Sequence, residues 1–207
     1  MTPADQISAP ALARIGGALY LINIVLGAFA IGVAPSQPAL YRLGVAAHVI
    51  VGLTNIPLAL VFYELFRVVS RRLAMLVVFF TLVATSIEMA FVAAELPSRS
   101  ASAAGYDVSS VFFALYGVTV GWLVVRSTFL PTFVGILLIV GALCYLAYGF
   151  ADILGPSFAS LLVPWIQLPS LLGELSFALW LLVAAVDGGR WSVSHDQFRN
   201  RERDARS

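Results

Sequence analysis

Charge is scarce in this sequence. Only 11% of its 207 residues are Asp, Glu, Lys or Arg, against roughly 25% in an average soluble domain, so polar side chains cannot cover the exterior of a water-soluble fold of this length. Lysine is absent: all twelve basic residues are arginine, a compositional mark of a GC-rich bacterial genome that carries no mechanism. The single cysteine, Cys144, excludes an intramolecular disulfide, and within its apolar run it reads as a small hydrophobe. No stretch shows the ten-residue alternation of a membrane β-barrel. There is no HExxH or HxxxD spacing, no serine in a nucleophile elbow, and no glycine-rich phosphate loop or dinucleotide fingerprint. Metal-dependent hydrolysis, Ser-His-acid chemistry and nucleotide binding are therefore without support, and neither a cofactor nor a nucleic-acid partner is expected.

What the sequence has instead is apolar length. Hydrophobic residues make up 60% of the chain, and they fall into runs approaching or exceeding the ~20 residues that cross a bilayer. Six spans are expected, over residues 11–33, 39–66, 73–95, 108–125, 132–154 and 169–186. The turn formers Pro35, Ser36, Gln37 and Pro38 separate the first two, and 97–105 is the longest interior loop. Residues 157–167 are apolar but carry Pro164 and Trp165, and read as an interfacial or re-entrant segment with Trp165 at headgroup depth. The fold class is thus an all-α integral membrane bundle of six helices, with one domain over 1–187. A charged, solvated tail follows over 188–207. Arg14, the first run and Ala28-Phe29-Ala30 loosely imitate a signal peptide, but the run continues to Val33 and Asp5 lies in the would-be basic region, so a retained span is expected.

With six spans, Arg14, Arg67, Arg71, Arg72, Arg126 and five tail arginines share one side, ten against only Arg42 and Arg99 on the other. The positive-inside bias then places both termini in the cytoplasm of a bacterial inner membrane. Glu95, Asp107 and Asp152 fall at the outer ends. Glu64 and Arg67 are spaced for an interfacial ion pair.

An ionisable residue at membrane depth costs ~2.5–3.5 kcal/mol on insertion scales, so such residues should face protein. Glu88 stands well inside the third span, between Thr81 and Glu95 at seven-residue spacing. His48 in the second span and Glu174 in the last lie at similar depth, and the three are expected to converge on one interior region opening outward. Asn23, Asn55 and Thr81 lie deeper and would floor it, while Gln167, Tyr145 and Tyr148 would line its mouth. The same His48, Glu88 and Glu174 are the weak metal candidates, since zinc needs at least three protein ligands. Gly16, Tyr20, Asn23 and Gly27 form one face of the first span suited to close packing. Gly117 and Gly121 form a GxxxG face that would pack a partner membrane protein or a second copy.

Several strings, in this order and spacing, resemble a bacterial multi-pass membrane family catalogued as domain of unknown function 4386: 13–21 (ARIGGALYL), 41–44 (YRLG), 111–113 (VFF), 126–131 (RSTFLP) with Gly135, 173–175 (GEL) and 180–182 (WLL). The resemblance extends over about 11–187 and implies a helical inner-membrane protein without an assigned activity. It also implies an arginine after Phe79-Phe80, where this chain has Thr81, so that a membrane carboxylate here needs another partner, with His48 the candidate. The leading functional expectation is a non-enzymatic protein that binds a small apolar or amphiphilic ligand or a partner helix, with membrane lipids around it. The alternatives are a proton-coupled small-molecule carrier using the intramembrane carboxylates and a membrane-embedded lipid- or isoprenoid-modifying enzyme.

Overall fold

The computed structural model describes residues 8–33, 39–98 and 104–204. The expected turn at Pro35 to Pro38, Arg99 and the side chains of Glu95 and Asp107 lie outside the described residues. The described chain is helical throughout, with short turns and no strand: α1 Ala9–Ala28, α2 Tyr41–Phe66, α3 Arg71–Ser98, α4 Ala104–Arg126, α5 Thr132–Leu154, α6 Pro156–Leu162, α7 Leu168–Val183 and α8 Gly188–Asp204. Six of these are long and apolar enough to cross a membrane, and they match the six expected spans. A π-turn over Phe29–Val33 extends α1.

Local chemistry sets the boundaries. Ser8 accepts the Ala11 amide at the start of α1, just before Pro10, an N-cap followed by a proline whose missing N–H falls among the unpaired ones. Pro131 precedes α5 in an extended conformation, and Gly155 ends it. Glu64 and Arg67 meet at 2.8 Å, half-exposed where α2 ends.

Each spanning helix packs on its two neighbours in the order α1, α2, α3, α4, α5, α7 and back to α1, so the six close into a ring. Leu53, Ile56 and Leu60 of α2, Phe79 and Leu82 of α3 and Ile136 and Val140 of α5 are exposed on its outside, as lipid-facing positions should be. Glycines set the crossings. A Cβ on Gly17 would stand 2.6 Å from the Leu182 nitrogen and 2.8 Å from the Ala178 carbonyl of α7; one on Gly173 would stand 2.6 Å from the Leu137 carbonyl of α5. The Gly117–Gly121 face packs against α5: a Cβ on Gly117 would meet Ala142 at 2.9 Å, and Gly121 and Gly135 approach each other's carbonyls. That corrects the expectation of a face open to a partner or second copy. The intervening loop is short enough for α5 to occupy it first.

Inside the ring, the half bearing the arginine-rich turns is filled by aromatic rings. Phe62, fully buried, touches Tyr20 of α1, Tyr116 of α4 and Phe177 of α7 at centroid distances of 6.0, 6.4 and 5.4 Å. Phe66 continues the layer to Phe177 and Phe129. In the opposite half, α6 presents Phe158 and Leu161 outward and Trp165 is 72% exposed.

The charged tail forms α8, whose first turn folds back on the bundle. Asp187 caps it by accepting the Arg190 amide at 3.0 Å. Trp191 donates its indole N–H to the Leu65 carbonyl at 3.0 Å, one of the last carbonyls of α2, which have no partner within the helix. Arg190 donates to the Thr128 carbonyl. Asp196, Arg199, Arg201, Arg203 and Asp204 of α8 are exposed.

Two outcomes follow. Gly17→Val and Gly173→Val each force two backbones apart and should destabilise by about 1–3 kcal/mol, seen as a lower midpoint of thermal unfolding in detergent. Gly27→Ala, with open space around its Cβ, should be neutral or slightly stabilising; equal losses at all three would contradict the crossing geometry. Trp191→Phe removes the bond to Leu65, so trypsin should cut at Arg199, Arg201 and Arg203 faster than in the wild type, and an unchanged rate would show that α8 is held by other contacts.

Candidate functional site

Two groups of polar side chains stand inside the ring. The first is built by α1, α2 and α3. Asn23 donates from Nδ2 to Asn55 Oδ1 at 2.7 Å and accepts at Oδ1 from the Thr54 hydroxyl; Asn55 donates in turn to Thr85 Oγ1 at 3.1 Å. About two turns along α2 toward the arginine-poor end, His48 Nε2 lies 3.0 Å from Glu88 Oε1. Both are deeply buried, at 3% and 6% exposure. This arrangement is what an antiparallel hairpin makes of the sequence: His48 and Asn55 share a face of α2 seven residues apart, and Glu88 and Thr85 share a face of α3. With Thr81 where the resembled family implies an arginine, the partner of Glu88 is His48. The second carboxyl oxygen, Oε2, is buried without a hydrogen-bond partner among the described residues.

Thr81 is buried, but its hydroxyl donates to the Val77 carbonyl of its own helix at 2.8 Å. It therefore closes on α3 instead of flooring a cavity.

The second group surrounds Glu174 of α7. Ser170, four residues earlier on the same face, donates to Glu174 Oε1 at 3.3 Å. A partly open cavity of about 10 Å³ is lined by Glu174, Ser170, Tyr20 and Tyr145 together with Phe113, Ala114 and Gly117 of α4 and Leu138 and Ala142 of α5. The Tyr20 and Tyr116 hydroxyls face each other. Glu174 is half-buried. Room of this size suits one water-sized group.

The convergence expected of His48, Glu88 and Glu174 is thus divided. His48 and Glu88 pair; Glu174 stands elsewhere, and neither of the other two lines its cavity. Among the described residues no three His, Cys, Asp or Glu side chains are grouped to hold one metal ion. Asn23 and Asn55 join the Thr54 and Thr85 network. Tyr145 reaches the Glu174 cavity, but Tyr148 and Gln167 do not line it. Thr54, Thr85, Ser170 and Tyr116 escaped the sequence reading. Ser170 carried a usable signal, its i,i+4 spacing from Glu174, whereas Tyr20 was assigned to packing alone.

Removing one member of a buried pair leaves the other uncompensated, at about 3 kcal/mol or more. His48→Leu should therefore lower the unfolding midpoint sharply, and His48→Leu combined with Glu88→Leu should recover most of the loss. A double variant no better than the single one would show that the two residues contribute independently.

Comparison with protein-family models matches residues 93–185 to Domain of unknown function (DUF4386), the family the sequence resembles. The matched segment runs from the end of α3 through α7. It contains every cavity residue except Tyr20 and excludes His48 and Glu88, and the resembling strings at 13–21 and 41–44 lie before it. No curated protein and no solved structure matches the chain.

Proposed function

We propose, for a chain similar over its second half to a membrane family of unknown function, that it is a non-enzymatic protein of a bacterial inner membrane which holds the polar end of a small amphiphile in the cavity beside Glu174. Its termini face the cytoplasm, following the arginine bias. The observation that carries this reading is the mixed lining of the cavity. The Glu174 carboxyl, the Ser170 hydroxyl and the phenols of Tyr20 and Tyr145 share it with Phe113, Ala114, Leu138 and Ala142, so a small polar head would meet polar groups there with apolar side chains beside it. The cavity lies in the half of the bundle away from the arginines, with the aromatic layer around Phe62 beneath it. That layer favours binding over passage through the membrane. The separation of Glu88 from Glu174 likewise favours binding over an enzyme that sets two carboxylates against one substrate.

A twelve-carbon alcohol carrying a photoreactive diazirine tests this in nanodiscs. Label should appear on peptides containing Phe113 or Ala142, and Ala142→Leu, which fills the cavity, should suppress it. Labelling confined to lipid-facing residues such as Leu53 and Phe79 would sink the proposal.

A further inference from the structure

We infer that the cavity beside Glu174 selects a primary ammonium headgroup, an inference that rests on the amphiphile reading and names its ligand class. The first observation is an acid without a cationic partner. Glu174 lies in a membrane span, accepts one hydrogen bond from Ser170, and is paired with no arginine or histidine among the described residues. In this it differs from Glu88, which has His48. Ionising a carboxyl group alone at membrane depth is costly, and a cationic ligand supplies the counter-charge that the protein does not.

The second observation is the wall. Tyr20, Phe113 and Tyr145 line the cavity with Glu174, so aromatic groups and a carboxylate surround the same small volume. Aromatic side chains beside an acid are a combination suited to a cation, which a ring attracts wherever its face is presented.

The third observation is size. A cavity of about 10 Å³ is at the threshold for one water, and an –NH3+ group is close to water in size and brings three donors. Glu174 and the Ser170 hydroxyl offer acceptors at the cavity. A trimethylammonium group is larger by three methyls and offers no donor. An alcohol fits but brings no charge. The cavity therefore discriminates by volume against the quaternary cation and by electrostatics against the neutral head.

The test uses the full chain in phosphatidylcholine nanodiscs with three diazirine probes sharing one twelve-carbon tail and bearing a primary amine, a trimethylammonium or a hydroxyl. In the wild type the amine should label peptides containing Phe113 or Ala142 about tenfold or more above the other two. Glu174→Gln, nearly isosteric, should bring the amine down to the level of the alcohol. Equal labelling of the cavity by all three heads would overturn the ammonium inference while leaving the amphiphile reading in place; absence of cavity labelling by any probe would overturn both. Two competitors separate the sources of the group. Displacement by phosphatidylethanolamine in the nanodisc identifies a lipid headgroup, displacement by butylamine alone identifies a free small amine, and displacement by neither overturns the inference.

Discussion

The contact between Gly17 and the backbone of α7 closes the ring on which the rest of the structure depends. Apolar helices in hydrocarbon gain nothing by hiding side chains from lipid that is equally apolar, so their association rests on close packing and on polar contacts between helices. Gly17 brings the first span within reach of Ala178 and Leu182 in the last, a contact between residues about 160 positions apart. The pairs Gly121 with Gly135 and Gly173 with Leu137 do the same for α4 with α5 and α5 with α7. Were the first and last spans not in contact, Tyr20 would not meet Phe177, and the aromatic layer at Phe62 would lose one side.

Closure divides the interior. Helices that approach through glycine leave little room between their axes, and in one half that room is filled by Phe62, Phe66, Phe177 and Tyr116 in edge-on and stacked contacts of the kind rings prefer. In the other half polar side chains occupy it, but not as one cluster. The α2–α3 hairpin pairs His48 with one oxygen of Glu88 and Asn55 with Thr85, with Asn23 reaching in from α1. The α4–α5–α7 wall leaves Glu174 beside a small void. Two carboxylates at comparable depth thus have different surroundings: an imidazole in contact for one, hydroxyl groups and aromatic rings for the other.

Most of the fold was legible because a bilayer imposes a simple length rule, and every one of the six spans lies within a few residues of its expected bounds. Neighbours in sequence were legible too. His48 and Glu88 sit on adjacent antiparallel helices at matched depth, so the hairpin alone is enough to bring them together. What the sequence could not supply was the rotation of each helix within the ring. Depth placed Glu174 level with Glu88, but the face Glu174 presents depends on where Gly173 and Gly141 seat α7 against α5, a fact about backbone contact that hydropathy does not carry. The same holds for Gly117 and Gly121, whose spacing announced a packing face without saying that α5 would fill it. In the tail, overall charge concealed Trp191, a single aromatic residue with a carbonyl of α2 to cap.

The two polar groups also differ in what they ask of the protein. A network whose members all lie on one hairpin and its neighbour strengthens a fold that is already local. Its bonds are short and its residues deeply buried, so displacing them means opening α2 from α3. The Glu174 group is assembled from α1, α4, α5 and α7, and Glu174 keeps accessible surface. A carboxyl held at membrane depth by one serine, with phenols near it and no arginine or histidine paired to it, contributes less to stability than an apolar residue of similar volume would. Its presence is better accounted for by what can occupy the space beside it than by the packing of the helices that surround it.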